Sequence, residues 1–229
     1  SGRASGRETA ARVAAGAVAM KILKEKGVQI TAYTIKAAGI SCEDRDLAVI
    51  EKNKMRACDS QAAEKMEQKI RALAEEGDSA GGIIECIATG VAPGLGEPVF
   101  EKIDAELARA VMSLGAVKAV EFGAGFACVD MKGSEHNDSM DSRGFKTNNA
   151  GGMIGGITTG EDIIFRIAVK PTSSISKVQN TVNVAGEEKA IRTEGRHDPC
   201  ICPRIVPVVE AMTALVLIDM YKREAALLS

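Results

Sequence analysis

The sequence predicts a mixed α/β (α+β) fold, a sandwich in which buried helices are covered by antiparallel sheet. Three observations carry that expectation. Short runs rich in β-branched residues and stretches with helical apolar spacing both occur along the chain. They follow no regular strand–helix–strand rhythm, so a doubly wound parallel sheet is not expected. Neither G-x-G-x-x-G nor G-x-x-x-x-G-K-[ST] is present, which removes the dinucleotide and P-loop folds that those motifs mark.

The elements read in order as follows. Ser5 and Glu8 have the spacing of a capping box, which predicts a helix from Ser5 to Lys26 closed by Gly27. Its body, AARVAAGAVAMKIL, is built of small residues that allow another backbone close, so this helix is expected to be buried. Val28–Ile35 reads as a strand. Asp59–Glu76 reads as an amphipathic helix with Ala62, Met66, Ile70, Leu73 and Ala74 on one face. Gly81–Val91 is strand-like and APGLGEP turns the chain. Asp104–Leu114 is a short helix, and Ala116–Met131 gives one or two strands. Lys132–Asn149 is a long polar loop. Ile163–Val169 is the clearest later strand. Pro203–Leu228 is a last helix, apolar on nearly all sides and therefore covered on more than one face.

Bulk properties bound the function. A chain of 229 residues with 45% apolar and 26% charged residues can bury a substantial core. The formal net charge of -2 excludes a general nucleic-acid binder, so any anion must be held by local arginines. The absence of tryptophan, with aromatics at 3%, argues against stacking platforms for bases. Six scattered cysteines form neither a disulfide framework nor a zinc ribbon, which points to reduced thiols and a cytoplasmic location. The most apolar uncharged run, Ala211–Ile218, is too short to cross a bilayer. The chain opens without methionine on a motif already under way, and so reads as a portion of a longer protein.

Four segments could carry chemistry. At the start, Arg3 and Arg7 flank the first helix N-terminus, where free amides and the helix dipole favour phosphate or carboxylate. Arg12 lies about 140° further round the helix and faces elsewhere. VKPTSSIS, Val169–Ser176, puts Lys170 and a cluster of hydroxyls at a strand end, suited to a phosphate or a polar heterocycle edge. NNAGGMIGG, Asn148–Gly156, permits close approach of a flat ligand, or simply bends a strand. EGRHDPCICPR, Glu194–Arg204, could be a metal site, a cysteine nucleophile or an anion pocket. Cys200 and Cys202 are C-x-C, and His136 and His197 are the only histidines, which is a poor zinc ligand set. No base or oxyanion hole is marked for a cysteine nucleophile. Arg196, Asp198 and Arg204 therefore read as a polar anion pocket, and no metal is expected.

Together these segments resemble chorismate synthases. GRASGRETAARVAAGA (Gly2–Ala17) is similar to that family's central signature, and RHDPCICPRIVPVVEAM (Arg196–Met212) to its C-terminal one. GSEHND, NNAGGMIGGITTG and KPTSSI stand between them in the expected order. The resemblance covers essentially all 229 residues and implies the family's sandwich fold, incomplete at the N-terminus, with residues 1–229 as the C-terminal portion of one domain. It implies conversion of 5-enolpyruvylshikimate 3-phosphate to chorismate and phosphate by anti-1,4 elimination. The implied cofactor is reduced FMN, with a link to NADP, and the implied assembly is a homotetramer with neither nucleic acid nor membrane as partner. By motif position, Arg3, Ala4, Ser5, Gly115, Ala116, Gly155, Lys170, Pro171, Thr172, Ser173, Ser174 and Arg196 are expected on FMN. Arg7 and Arg196 are expected on the substrate, and Asp198 near flavin N5, assisting proton removal. The family's two catalytic histidines belong to GESHG-like and PGHAD-like motifs, which have no match here. The chain is thus expected to carry much of the flavin site without its general acids. The other reading is an inactive folding or oligomerisation unit with no formed flavin site.

Overall fold

Thr9–Glu25 forms helix α1, preceded by a 3-10 turn over Gly6–Glu8. A computed structural model describes residues 5–227. After α1 come strands β1 (Gln29–Ala37) and β2 (Ile40–Ser41), helix α2 (Ser60–Glu75), strand β3 (Gly82–Thr89), helix α3 (Ile103–Met112) and strand β4 (Val117–Phe122). A short helix α4 (Gly133–His136) and two small hairpins follow, β5 (Met140–Asp141) with β6 (Gly144–Phe145) and β7 (Met153–Ile154) with β8 (Ile157–Thr158). Strand β9 (Ile163–Val169), the hairpin β10 (Gln179–Val182) with β11 (Glu188–Ile191), and helix α5 (Cys202–Leu227) complete the chain. Five strands make one sheet in the order β2-β1-β3-β9-β4, with β1 and β2 antiparallel. Among the described residues no helix is long and apolar enough to cross a membrane.

The residues gather into two compact units. Among the described residues, the first holds 5–32, 84–168 and 205–227. Its core includes residues of α5 and β9: Val206, Val209, Ala211, Ala214 and Leu217 are fully buried, as are Ile163, Phe165 and Ile167 on β9. Strand β9 alternates buried and half-buried positions, the period of a strand with one face on the core. On its other face Arg166 reaches Glu85 of β3 at 3.3 Å and Glu121 of β4 at 2.9 Å, so one guanidinium ties three strands together. Helix α1 meets α5 where Gly16 lies on Ala211; a β-carbon on Gly16 would come within 2.4 Å of that residue. Close backbone approach is thus as expected. Burial of the whole helix is not: only Gly16, Ala19 and Leu23 are buried, and Val18 is 62% exposed, because α5 supplies contacts to one stripe only.

The second unit holds residues 33–83 and 169–204. Asp59 caps α2, its carboxylate accepting from the amides of Gln61 and Ala62 at 2.9 and 3.0 Å. The buried face of α2 is Ala62, Ala63, Met66 and Ile70; Leu73 is half-buried and Ala74 exposed, so the apolar stripe ends a turn earlier than predicted. Gly82 opens β3 with no room for a side chain, since a β-carbon would meet the Lys36 carbonyl at 2.2 Å and the Cys202 sulfur at 2.7 Å.

Two other expectations change. The capping box does not form: Ser5 Oγ accepts from Arg7 N–H at 3.4 Å, while Glu8 turns to Arg12 at 2.9 Å. The tight turn that results places Ser5 two residues from its amide partner instead of three. The predicted second strand within Ala116–Met131 is a 3-10 helix, Gly125–Asp130, entered through left-handed Gly123 and Gly125. The polar loop Lys132–Asn149 is ordered around Asp138, whose carboxylate accepts from Thr147 Oγ1, Asn149 N–H and Ala150 N–H at 2.7–2.9 Å.

Candidate functional site

In the first unit the candidate residues cluster around α3 and the start of α1. Arg3 and Ala4 lie outside the described residues. The amides of Arg7 and Glu8 are taken by Ser5, through its hydroxyl and carbonyl, so the free amides expected at this helix start are satisfied locally. Arg7 itself is exposed and its side chain makes no ion pair among the described residues. Arg12 does face elsewhere: besides Glu8 it donates to Ser113 Oγ at 2.6 Å. That bond joins the α1 start to the α3–β4 turn, where Gly115 is exposed and Ala116 sits at φ 75°. A left-handed alanine costs about 1 kcal/mol and persists only where its surroundings fix it.

Gly155 lies at the other end of α3. Gly155 and Gly156, both with positive φ, form the two-residue turn between β7 and β8. The Gly156 carbonyl accepts from Ile103 N–H at 3.0 Å, docking the turn on the first residue of α3. Around Gly155, by contrast, a β-carbon would meet nothing within 4 Å. At 1.5 Å per residue, Gly155 and the Gly115–Ala116 turn mark the two ends of a helix about 15 Å long.

The second unit brings together two segments far apart in sequence. Ser79 Oγ donates to the Thr172 carbonyl at 2.7 Å, and Ala80 N–H donates to the Pro199 carbonyl at 2.7 Å. The α2–β3 loop thereby holds the run Lys170–Ser174 beside residues 198–200. Lys170 Nζ leans back on the Pro171 carbonyl and Ser173 Oγ at 3.4 and 3.3 Å. Thr172 Oγ1 is buried and has no hydrogen-bond partner among the described residues. A buried hydroxyl left so costs about 1–3 kcal/mol, so this one calls for a missing partner. Arg196 is exposed with no ion pair among the described residues. Asp198 is held by Arg204 in a two-pronged pair, at 2.7 and 3.0 Å, rather than by Arg196. Ser79 and Ala80, which do the positioning, carried no signal in the sequence; their partners are about a hundred residues away. Among the described residues no three His, Cys, Asp or Glu side chains converge on a metal-sized site.

These features define a mixed α/β protein with exposed arginines at Arg7 and Arg196, a strand end bearing Lys170 and hydroxyls, and an open glycine turn at Gly155. The chorismate synthase family model matches residues 1–221, and the chain belongs to that family. Among its relatives, a chorismate synthase from Syntrophobacter fumaroxidans (strain DSM 10017 / MPOB) is 54% identical, covering 95% of this chain and 62% of its own. One from Lachnospira eligens is 52% identical, covering 96% and 62%. A crystal structure of a chorismate synthase matches 96% of this chain with a TM-score of 0.81 and 31% identity, over 65% of its own length. The mixed helix-and-sheet fold expected from sequence is therefore that of this family. The chain spans a little under two thirds of the length of these relatives.

Proposed function

We propose that this chain is part of a carbon–oxygen lyase that converts 5-enolpyruvylshikimate 3-phosphate to chorismate and phosphate. The reaction is an anti-1,4 elimination with reduced FMN, and the assembly is a homotetramer in the cytoplasm. Family membership supports the reaction. The observation that carries this chain's part in it is the orphaned Thr172 hydroxyl beside Lys170 and Ser173. A hydroxyl with no protein partner, two residues after a lysine at a strand end, suits a ligand with a phosphate and a polar ring edge, which FMN has. Gly155 leaves open space, apt for the close approach of a flat group.

When bound, reduced FMN supplies electron density as the phosphate departs. The chain's own residues have simpler duties. By motif position the run Lys170–Ser174, Arg196, Ser5, Gly115, Ala116, Gly155, Arg3 and Ala4 are each proposed as cofactor contacts; within the second unit the orphaned Thr172 hydroxyl supports this for the Lys170–Ser174 run. Arg7 and Arg196 bind the substrate's anionic groups, for which guanidinium is well shaped. Fixed cations also stabilise the charge growing on the leaving phosphate. Asp198, held in orientation by Arg204, would assist removal of the substrate proton, as its motif position implies.

The test is turnover by the purified protein, supplied with reduced FMN and substrate, alone and together with the N-terminal third of a relative. Release of chorismate and phosphate in the second case is expected. Asp198→Asn should then lower kcat about 100-fold with little change in KM. Equal turnover by that variant would remove Asp198 from the mechanism.

A further inference from the structure

The C-x-C pair that the anion site leaves unused has a geometry of its own. Cys202 is the first residue of α5, a helix of 26 residues, and Cys200 stands two residues before it. Two residues apart, the two side chains are close enough for each to act on the other's titration. Cys202 is fully buried under the Cα of Gly82. Cys200 is 7% exposed and lines a cleft of about 260 Å³ with Lys54, Met55, Arg71 and Pro203. Lys54 and Arg71 flank a single carboxylate there, Glu67, at 3.7 and 3.2 Å, so the cleft mouth carries a positive excess.

We propose that Cys200 and Cys202 form a reactive dithiol, in which Cys200 attacks small anionic disulfides entering this cleft and Cys202 then closes an internal disulfide. The Cys202 thiol lowers the Cys200 pKa against the effects of burial and Asp198, and the Cys202 amide adds to it. Cys202 moves the opposite way, raised by Cys200 and by burial, so it keeps its proton until Cys200 has reacted. In the first step the Cys200 sulfur attacks one sulfur of the disulfide, the old S–S bond breaks, and one thiolate leaves. In the second, Cys202 gives up its proton and attacks the Cys200 sulfur, releasing the second thiol. The protein dithiol is oxidised by two electrons and the small disulfide is reduced to two thiols. Residues two apart have Cα atoms no further than about 7.6 Å, near the span a disulfide bridges. Cys58 also stands two residues before a helix, α2, and pairs with Cys42, but it is fully buried, whereas Cys200 lines the cleft. Burial pushes the Cys86 thiol up to about 12. Cys42 is raised by its bond to the fully buried Cys58, and stands at no helix start.

Glutathione disulfide, a carboxylate-bearing small disulfide, is the probe. The purified protein is incubated with it, denatured, alkylated and mapped by mass spectrometry. The peptide holding Cys200 and Cys202 is expected to lose two hydrogens and escape alkylation before the Cys42 and Cys58 peptides change. Cys202→Ser is expected to accumulate a glutathione adduct on Cys200, whereas Cys200→Ser should leave Cys202 about tenfold slower to react or more. The first readout needs no substitution, so it stands if a variant misfolds. The proposal is overturned if both thiols stay fully alkylatable once exposed Cys128 has reacted, if Cys42 and Cys58 oxidise first, or if folded Cys202→Ser gains no adduct.

Discussion

Thr172 shows how a single atom separates stability from function. Its hydroxyl is buried without a partner, while its carbonyl is well served by Ser79. Valine has nearly the same shape and no hydroxyl to satisfy. Thr172→Val should therefore raise stability by about 1 kcal/mol, read as a higher denaturant midpoint with unchanged slope, while weakening any ligand that the hydroxyl meets. A lower midpoint would mean that the hydroxyl has a partner already. The sequence marked this residue as one hydroxyl of a cluster at a strand end, but not that it is buried without a partner, which is a property of packing. Arg196 and Asp198 were legible as a charged cluster, but which arginine takes the carboxylate was not: Arg204, six residues on, wins it. One helical turn at the start of α5 sets that pairing, beyond the reach of residue spacing alone.

At the scale of elements, the strongest local device is the start of α2. Asp59 accepts from Ala62 and Gln61 within the helix and from Glu43 and Asp44 across the preceding loop, at 2.9–3.4 Å. These bonds, that from Ala62 first, hold its carboxyl below the usual range. A depressed pKa adds stability that is fully present above the unfolded value near 3.8 and disappears as pH falls through the folded one. Asp59→Ala should cost about 2 kcal/mol at neutral pH, with a smaller difference below pH ~3, measured by chemical denaturation. A pH-independent difference would contradict the assignment. Helix α2 was legible because its caps and apolar spacing are local, and so were β9 and α5. Elements failed where a neighbour decides. The 3-10 helix Gly125–Asp130 reads as strand from its apolar residues, yet Val129 is 76% exposed and finds no sheet partner. Helix α1 reads as buried from its small residues, but only the stripe facing α5 is covered.

Across the whole molecule, the sequence patterns foretold a mixed fold but not its division into two compact units, nor the strand order β2-β1-β3-β9-β4. Strand β9 sits between β3 and β4 although long stretches of chain separate all three, and such pairings leave no periodic trace. The candidate residues are similarly divided. Ser5, Arg7, Gly115, Ala116 and Gly155 belong to the first unit, and Lys170–Ser174, Arg196 and Asp198 to the second. The proposed partner of both the Thr172 hydroxyl and Arg196 is a phosphate-bearing flavin. Titrating the purified protein with reduced FMN under anaerobic conditions, followed by calorimetry, tests this most directly. Saturable binding at one FMN per chain is predicted, weakened about tenfold by Arg196→Ala and again by Thr172→Val. Absence of saturable binding, or an affinity that neither substitution changes, would contradict it.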